Sequence, residues 1–250
     1  MSWNVNGLRA VERKGFVSWL AGEQPDILCL QETKARPEQL PDNLLHPDGY
    51  TAYFASADRK GYSGVAVYTR HVPLDVSFFG DSAFDQEGRL IVLHFDSYSV
   101  VNGYFPNSQE GGARLGYKLE FCRGLHEKLN TWVRRGHHVV LCGDYNIAHR
   151  DIDLARPEAN EQNPGFLPEE RSWMSSFLES GYVDTFRIFE SSGGHYTWWS
   201  YRAGARRRNI GWRIDYHCVN ESLAGKVQAA RIRQEVTGSD HCPVELTLTV

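Results

Sequence analysis

Carboxylate and amide side chains recur where short apolar runs end. Glu32 closes DILCLQE, Asp144 and Asn146 follow HHVVLCG, Asp215 closes WRID, and Asp240 with His241 sits on a turn ahead of CPVEL. Asn4 and Asn6 follow the opening run of MSWNVNG. Any one of these reads most simply as a turn or cap residue, because Asp and Asn are favoured there. Five such clusters in one chain favour another reading: polar side chains gathered at strand ends, where rigid scaffolds place reactive groups. Residues two apart on an extended segment point the same way, so Asp144 and Asn146 can face one site. Four carboxylates, three neutral amides and no grouped thiols suit Mg²⁺ or Mn²⁺ and not zinc. Mg²⁺ takes one or two protein carboxylates plus substrate phosphate, which leaves others to handle protons and to orient His241. The chemistry expected of such a set is attack of water on a phosphodiester, with a metal neutralising the charge that develops.

Periodicity predicts the elements that must hold these groups. Apolar, turn-bounded runs mark strands near residues 2–5, 26–31, 50–56, 63–69, 90–95, 98–104, 138–143, 214–219, 226–233 and 243–250. Two of them, Leu90–Phe95 and Ser99–Tyr104, are close enough to form a hairpin. Helical spacing is clearest from Arg114 to Arg135. There Leu115, Leu119, Cys122, Leu125, Leu129 and Trp132 recur, and Lys118, Arg123, Lys128 and Arg134 are expected to face outward. Gly136 ends that helix. A shorter helix is expected over Glu12–Ala21, and another from Pro168, with Glu169 and Glu170 behind it, to near Gly181. Many strands with intervening helices suit two packed sheets flanked by helices.

Composition excludes several classes. The 250 residues suffice for one large domain spanning 1–250, with no repeat, low-complexity tract or linker. No apolar stretch approaches the roughly 20 residues that span a bilayer, and MSWNVNG lacks the basic-then-apolar order of a secretory signal. A cytoplasmic protein with no membrane partner is expected. Five cysteines with no C-x-x-C pair read as small buried thiols, not as a zinc site or a disulfide framework. The net charge of −4 argues against a protein that coats nucleic acid indiscriminately. Basic residues are nevertheless clustered: Arg202, Arg206, Arg207, Arg208 and Arg213 fall among Trp198, Trp199, Tyr201 and Trp212. A solvated loop would account for the charges alone. Arginines interleaved with tryptophans are better explained by phosphate contacts, Arg206, Arg207 and Arg208 foremost, beside an apolar slot for a sugar or base.

Taken in order, NVNGLRA, LQETK, GYFPNS, GDYNIAHRDIDL, NPGFLPEER, GWRIDY and TGSDHCPVEL resemble successive motifs of the exonuclease III family of apurinic/apyrimidinic (AP) endonucleases. That family is part of the endonuclease/exonuclease/phosphatase superfamily, which includes deoxyribonuclease I. The resemblance runs from Asn4 to Leu246. It implies a four-layer α/β sandwich of two packed mixed sheets flanked by helices, with the site at one edge between the sheets. It implies that Glu32 is the principal metal ligand, with Asn4, Asn6 and Asp240 close by, for Mg²⁺ with Mn²⁺ substituting. Where relatives commonly carry Asp this chain carries Asn6, which removes one negative charge from the metal shell. Asp215 and His241 resemble a carboxylate–imidazole pair facing the scissile phosphate. Asp144 resembles the group that activates water or protonates the leaving 3′-oxygen, and Asn146 one that steadies the phosphate. Whether Asp144 or His241 is the general base stays open. Tyr104 resembles a tyrosine on the scissile phosphate, Asn107 its neighbouring phosphate contact, and Asn163 a further substrate contact. Trp198, Trp212 and Ile214 resemble the walls of a pocket for a baseless sugar. Only Met1 and Ser2 precede Trp3, a shorter opening than relatives' usual one, which would leave the strand carrying Asn4 incompletely anchored.

The activity implied is metal-dependent incision 5′ to an abasic site in double-stranded DNA. Removal of blocked 3′ ends and 3′→5′ exonuclease action accompany it, carried out by a monomer. Two other readings compete. A superfamily phosphodiesterase acting on an inositol phosphate or sphingolipid is disfavoured by GDYNIAHRDIDL and the Trp/Arg-rich loop. A non-catalytic, nucleic-acid-binding regulator of the same fold is disfavoured because Glu32, Asp144, Asn146, Asp215, Asp240 and His241 are all present.

Overall fold

The computed structural model describes residues 1–249, among which twelve strands form two six-stranded sheets. The strands are β1 (Ser2–Asn4), β2 (Ile27–Gln31), β3 (Thr51–Ala55), β4 (Val65–Thr69), β5 (Asp75–Phe78), β6 (Leu90–His94), β7 (Tyr98–Tyr104), β8 (His138–Asp144), β9 (Tyr182–Asp184), β10 (Asp215–Asn220), β11 (Val227–Ile232) and β12 (Val244–Leu248). One sheet runs β11-β12-β1-β2-β4-β3 and the other β5-β6-β7-β8-β10-β9. The pairs β1–β2 and β7–β8 are parallel among otherwise antiparallel neighbours, so both sheets are mixed. The expected hairpin is β6–β7. β5 and β9 escape the sequence pattern because they are sheet-edge strands of four and three residues, too short for a period to register.

Alternation along the strands builds the layers. In β2, Leu28 and Leu30 face a helical layer with Trp3, Phe16 and Tyr68, while Cys29 faces the other sheet with Val65, Ile91 and Cys142. The outer face of the second sheet packs Phe105, Leu141 and Tyr145 against Phe121, Leu125 and Phe177 of two long helices, Leu115–Arg134 and Pro168–Glu179. The order is helix, sheet, sheet, helix, a four-layer α/β sandwich. The helix expected over 12–21 is split: Leu8–Glu12 is one short helix, and the chain turns at Gly15 before a second, Phe16–Glu23. Lys118 corrects another expectation. It is buried inside the long helix's core-facing side instead of facing outward. No helix among the described residues is long and apolar enough to cross a membrane.

Two features near one edge of the sandwich position what lies there. Short as it is, β1 is held along its length, with Ser2, Trp3 and Asn4 paired to Cys29, Leu30 and Gln31. Gly143, one residue before the end of β8, has φ of +138°, and a Cβ there would lie 1.8 Å from the Gly103 carbonyl oxygen of β7. Only a residue without a side chain lets these strands meet. Gly143→Ala is therefore expected to cost ~3 kcal/mol, from left-handed strain plus overpacking. Gly116→Ala, where a Cβ meets nothing within 4 Å, should be neutral or stabilising by up to about 1 kcal/mol. Urea denaturation of both variants decides the matter, and equal midpoints would contradict the close approach of β7 and β8.

Candidate active site

Strand register brings the polar groups to one edge. Tyr104, Asp144 and Asp215 lie side by side on β7, β8 and β10. On the facing sheet Asn4 pairs with Gln31, and Glu32 is the residue after β2. Asp240 and His241 lie in the turn leading into β12. Asn6 (φ 47°), Glu32 (φ 52°) and Asn146 (φ 52°) hold left-handed backbone, which Asn tolerates and Glu does not favour. Glu32 is kept there by its flanks: its carbonyl accepts from Gly7 N–H at 2.7 Å, and Thr33 N–H donates to Gly64 O at 3.0 Å. Strain of this kind collects at functional sites.

Asn4 joins the two sheets. Its Nδ2 donates to Glu32 Oε1 at 2.9 Å and to Asp144 Oδ2 at 2.8 Å. Asp144 Oδ1 accepts from Asn146 N–H at 2.8 Å, and Asn146 Nδ2 donates to Phe105 O at 3.1 Å. Asp215 Oδ2 lies 2.8 Å from His241 Nδ1. A carboxylate only accepts, so Nδ1 carries the hydrogen, and Nε2 is turned away, 3.9 Å from Asp144 Oδ2.

Burial alone would disfavour a charge on His241, but Asp215, then Asp144 and Asp240, outweigh it and raise the imidazole to about 10. Burial, reinforced by Asp215 and opposed by His241, pushes Asp144 up to about 7. Glu32 and Asp240 move the other way. Burial opposes their charge as well, yet Lys34 and Asn4 hold Glu32 below its usual range, and His241, Asn6 and the Trp198 indole do the same for Asp240. Burial beside Glu32 and Asp144 keeps the Tyr104 phenol protonated.

A carboxylate oxygen of Glu32, one of Asp144 and a His241 ring nitrogen lie within 4.8 Å of one another, and of these only the carboxylates have a lone pair to offer a metal while the imidazole is protonated. Glu32 Oε2, 2.6 Å from the Lys34 ammonium, and Asn6 Oδ1 also converge on that one positive charge. Carboxylate and amide oxygens arranged around a cation in this way fit a hard divalent metal.

These groups open onto a cavity of about 270 Å³. Glu32, Tyr104, Asp144, Asn146 and His241 bring polar atoms to it, Trp198, Trp212 and Ile214 bring apolar surface, and Asn107, Asn163, Pro164, Gly165 and Asp240 complete the lining. Asn4, Asn6 and Asp215 stand behind, bonded to Glu32, Asp240 and His241. Trp198 Nε1 donates to Asp240 Oδ2 at 3.1 Å, and Trp198 meets Trp212 edge-on at 6.4 Å. A larger cavity, about 600 Å³, opens at the other end of the sheets beside Met1, Tyr98 and Val140. Of its carboxylates, Glu23 and Glu245 are engaged by Arg233 and Asp26 lies 3.5 Å from the His71 ring, and it gathers no comparable set of carboxylates and amides.

The basic loop divides by environment. Arg207 and Arg208 are exposed. Arg206 departs from the expected phosphate contact: its guanidinium donates to the carbonyls of Gln234, Val236 and Ser239 and lies 4.7 Å over Trp199, bracing the turn before Asp240. Arg213 departs further, buried in ion pairs of 2.7 Å with Asp153 and Asp184. Its neighbour Trp212 faces the cavity, and alternation along an extended segment sends Arg213 to the opposite side. Trp199 is a buried packing residue.

Three residues beside the cavity carry little signal in the sequence. Lys34 has one clue, its place two residues beyond Glu32 in LQETK. Arg89, ahead of LIVLHF, looks like the solvated start of a strand. It is buried, donates to Tyr104 O at 3.1 Å and to the Tyr62 hydroxyl at 2.8 Å, and lies 4.9 Å from the centre of the Tyr104 ring. Gly165 has φ of +91°, and a Cβ there would stand 3.3 Å from the Trp212 ring.

The Asp215–His241 bond predicts coupled losses. Asp215→Asn and His241→Ala should each lower turnover on a phosphodiester by about 10³-fold with substrate binding largely intact. The double variant should be scarcely worse than His241→Ala alone. Losses that multiply in single-turnover kinetics would separate the two residues' roles.

Known proteins of similar sequence and fold point the same way. Residues 1–241 match the Endonuclease/Exonuclease/phosphatase family. An exodeoxyribonuclease of Bacillus subtilis is 48% identical over 253 residues, covering 100% of this chain and 99% of that protein. An AP endonuclease from Archaeoglobus fulgidus superposes with a TM-score of 0.88 at 32% identity, covering 100% of this chain and 98% of that one. A 3′ phosphatase from Neisseria, bound to product DNA hairpin, superposes with a TM-score of 0.87 at 30% identity, again over 100% and 98%. The chain belongs to the endonuclease/exonuclease/phosphatase family of hydrolases, in its group of exodeoxyribonucleases and AP endonucleases.

Proposed function

We propose that the protein is a DNA repair nuclease that hydrolyses the phosphodiester 5′ to an abasic site in duplex DNA and leaves a 3′-hydroxyl. The same site clears blocked 3′ termini and removes nucleotides from 3′ ends, and residues 1–250 act as one domain and as a monomer. The make-up of a single cavity carries this reading. Carboxylate, imidazole and phenol groups suited to a phosphate border an apolar slot, Trp198, Trp212 and Ile214, suited to a sugar without its base. Extruding a nucleotide costs least where no base is stacked, so such a slot selects damage.

Mg²⁺, with Mn²⁺ substituting, is the metal these oxygens suit; held by Glu32 with Asn6 and Asp240 beside it, it supplies neutralisation of phosphate charge. The chain's own groups do the rest. His241, fixed by Asp215, presents Nε2–H to a phosphate oxygen and stabilises the charge that builds there. The Tyr104 hydroxyl and the Asn146 amide donate to the same phosphate. Asp144, oriented by the Asn4 amide and the Asn146 N–H, accepts a proton from the attacking water as the P–O3′ bond breaks, and the departing 3′-oxygen takes a proton from solvent to become the 3′-hydroxyl. Asn107, bonded to Asn146 at 3.1 Å, and Asn163 extend the contact along the substrate strand. Arg207 and Arg208 meet the duplex backbone.

End-labelled duplexes, one carrying a tetrahydrofuran abasic analogue and one intact, test the reading in the presence of Mg²⁺. Cutting is expected on the 5′ side of the analogue, with a product that a polymerase extends. Excess chelator should stop the reaction, and Mg²⁺ or Mn²⁺ should restore it. Incision that persists in chelator, or a product that cannot be extended, contradicts the reading.

Trp212→Ala should reduce incision at the analogue by about 30-fold, equivalent to ~2 kcal/mol of lost apolar contact, and removal of a terminal 3′-phosphate by no more than about threefold. Equal losses would make Trp212 a packing residue. Neutralising Arg207 and Arg208 together should weaken binding to damaged and intact duplex alike and flatten the salt dependence by about 1–2 units of log–log slope. A loss confined to damaged duplex would place them in the pocket instead.

A further inference from the structure

An ion pair that the chemistry above leaves unused lies behind the cavity. Lys118 on the Leu115–Arg134 helix and Glu170 in the first turn of the Pro168–Glu179 helix are both 0% exposed, with Nζ 2.6 Å from Oε1. Their other bonds go to the segments that line the cavity. Lys118 Nζ donates to the Asn146 carbonyl at 2.7 Å. Glu170 Oε1 also accepts from the hydroxyl of Ser108, next to Asn107, and Oε2 accepts from the N–H groups of Gly165 at 2.7 Å and Leu167 at 3.0 Å. Asn107, Asn146 and Gly165 all line the cavity. One pair of charges thus gathers three separate stretches of chain.

Burying the two charges is in itself a poor source of stability. Taking two charges out of water is unfavourable enough that apolar replacements of similar volume often leave a fold as stable or more so. What apolar side chains cannot supply is a set of directed bonds to three loops. The Gly165 segment needs that direction, because its backbone sits against the Trp212 ring, and a small drift opens or closes the slot. Asn146 has further anchors through Asp144, Phe105 and Asn107. The Gly165 segment has one backbone anchor, the Ala148 N–H on the Gly165 carbonyl at 2.7 Å, and its Gly165 and Leu167 N–H groups are held by Glu170.

We propose that Lys118 and Glu170 are a positioning pair. They hold the sugar-facing segment at Gly165 in register with the phosphate-facing Asn146, and so set the preference for an abasic site over a terminal 3′-phosphate. This rests on the function proposed above for the same site. Neither residue touches substrate; both act through the backbone they hold.

The test compares kcat/KM on two duplexes, one with an internal tetrahydrofuran analogue and one ending in a 3′-phosphate, for the parent and for Lys118→Met/Glu170→Leu. The double variant should stay folded but unfold at a lower temperature than the parent, because the Gly165 and Leu167 N–H groups, the Ser108 hydroxyl and the Asn146 carbonyl lose their partner. It should lose about 100-fold on the abasic duplex, the scale on which a misplacement of about 1 Å acts, and about tenfold or less on the 3′-phosphate. The ratio of the two activities then falls by about tenfold. A folded double variant with an unchanged ratio overturns the proposal, because a merely structural pair scales both activities together. Glu170→Gln keeps the shape but leaves one acceptor oxygen in place of two, and should shift the ratio in the same direction by less. It carries the test if the double variant does not fold, and an unchanged ratio there is equally fatal. Absence of abasic incision by the parent protein would contradict the proposed function itself, and that is seen before any variant is made.

Discussion

A single amide spans the gap on which the site depends. Asn4 comes from one sheet and Asp144 from the other, and Asn4 Nδ2 donates to both Asp144 and Glu32. Packed sheets lie about 10 Å apart, so side chains at their edges meet only where short polar groups reach across. Deeper between the sheets, Gln31 Nε2 donates to Asn102 Oδ1 at 2.7 Å, and Asn102 Nδ2 donates to the carbonyls of Leu30 and Ala66. Buried polar groups are unfavourable unless paired. Together these contacts penalise any slip of one sheet over the other, which an apolar interface would tolerate more readily. The third tie is His241, in the turn entering β12, whose Nδ1 lies 2.8 Å from Asp215 Oδ2 of the other sheet; within its own sheet the Trp3 indole N–H fixes that turn by donating to the His241 carbonyl at 3.1 Å.

Once the stacking is set, the charges follow. Glu32, Asp144, Asp215 and Asp240 are brought together at low dielectric, and the balancing cations sit around them: Lys34 on Glu32, His241 between Asp215 and Asp144, Arg89 behind Tyr104. Burial and the neighbouring carboxylates push Asp144 up to about 7, whereas at Glu32 burial is outweighed by Lys34, Asn4 and His241 together, which hold it low. Two carboxylates joined by one amide are thereby driven in opposite directions, the condition under which one acts on protons and the other stays charged beside a cation.

The strand-end clusters were legible because their spacing is short-range: Asp144 and Asn146 are two apart, and each follows an apolar run that had to be a buried strand. Lys118 was not, although it occupies the position four before Cys122 and seven before Leu125, squarely on the helix's apolar stripe. Its charge argued for solvent, and the partner that overrides that argument, Glu170, lies 52 residues away. Arg206, Arg207, Arg208 and Arg213 look alike as a run, yet carbonyl clamping, exposure and a buried ion pair divide them. That division depends on where Trp199 and Trp212 turn, which only the assembled loops determine. Arg89 had no signal at all, since a charge before a strand is ordinarily solvated.

The central claim is that groups from both sheets act on one phosphate. A crystal structure with Mg²⁺ and a duplex carrying an uncleavable abasic analogue tests it most directly. The scissile phosphate should lie within hydrogen-bonding distance of Tyr104 and Asn146 from one sheet and of His241 from the other, with Glu32 on the metal and the sugar against Trp212. A phosphate touching residues of one sheet alone, or a sugar lying outside the Trp198–Trp212 slot, would contradict it.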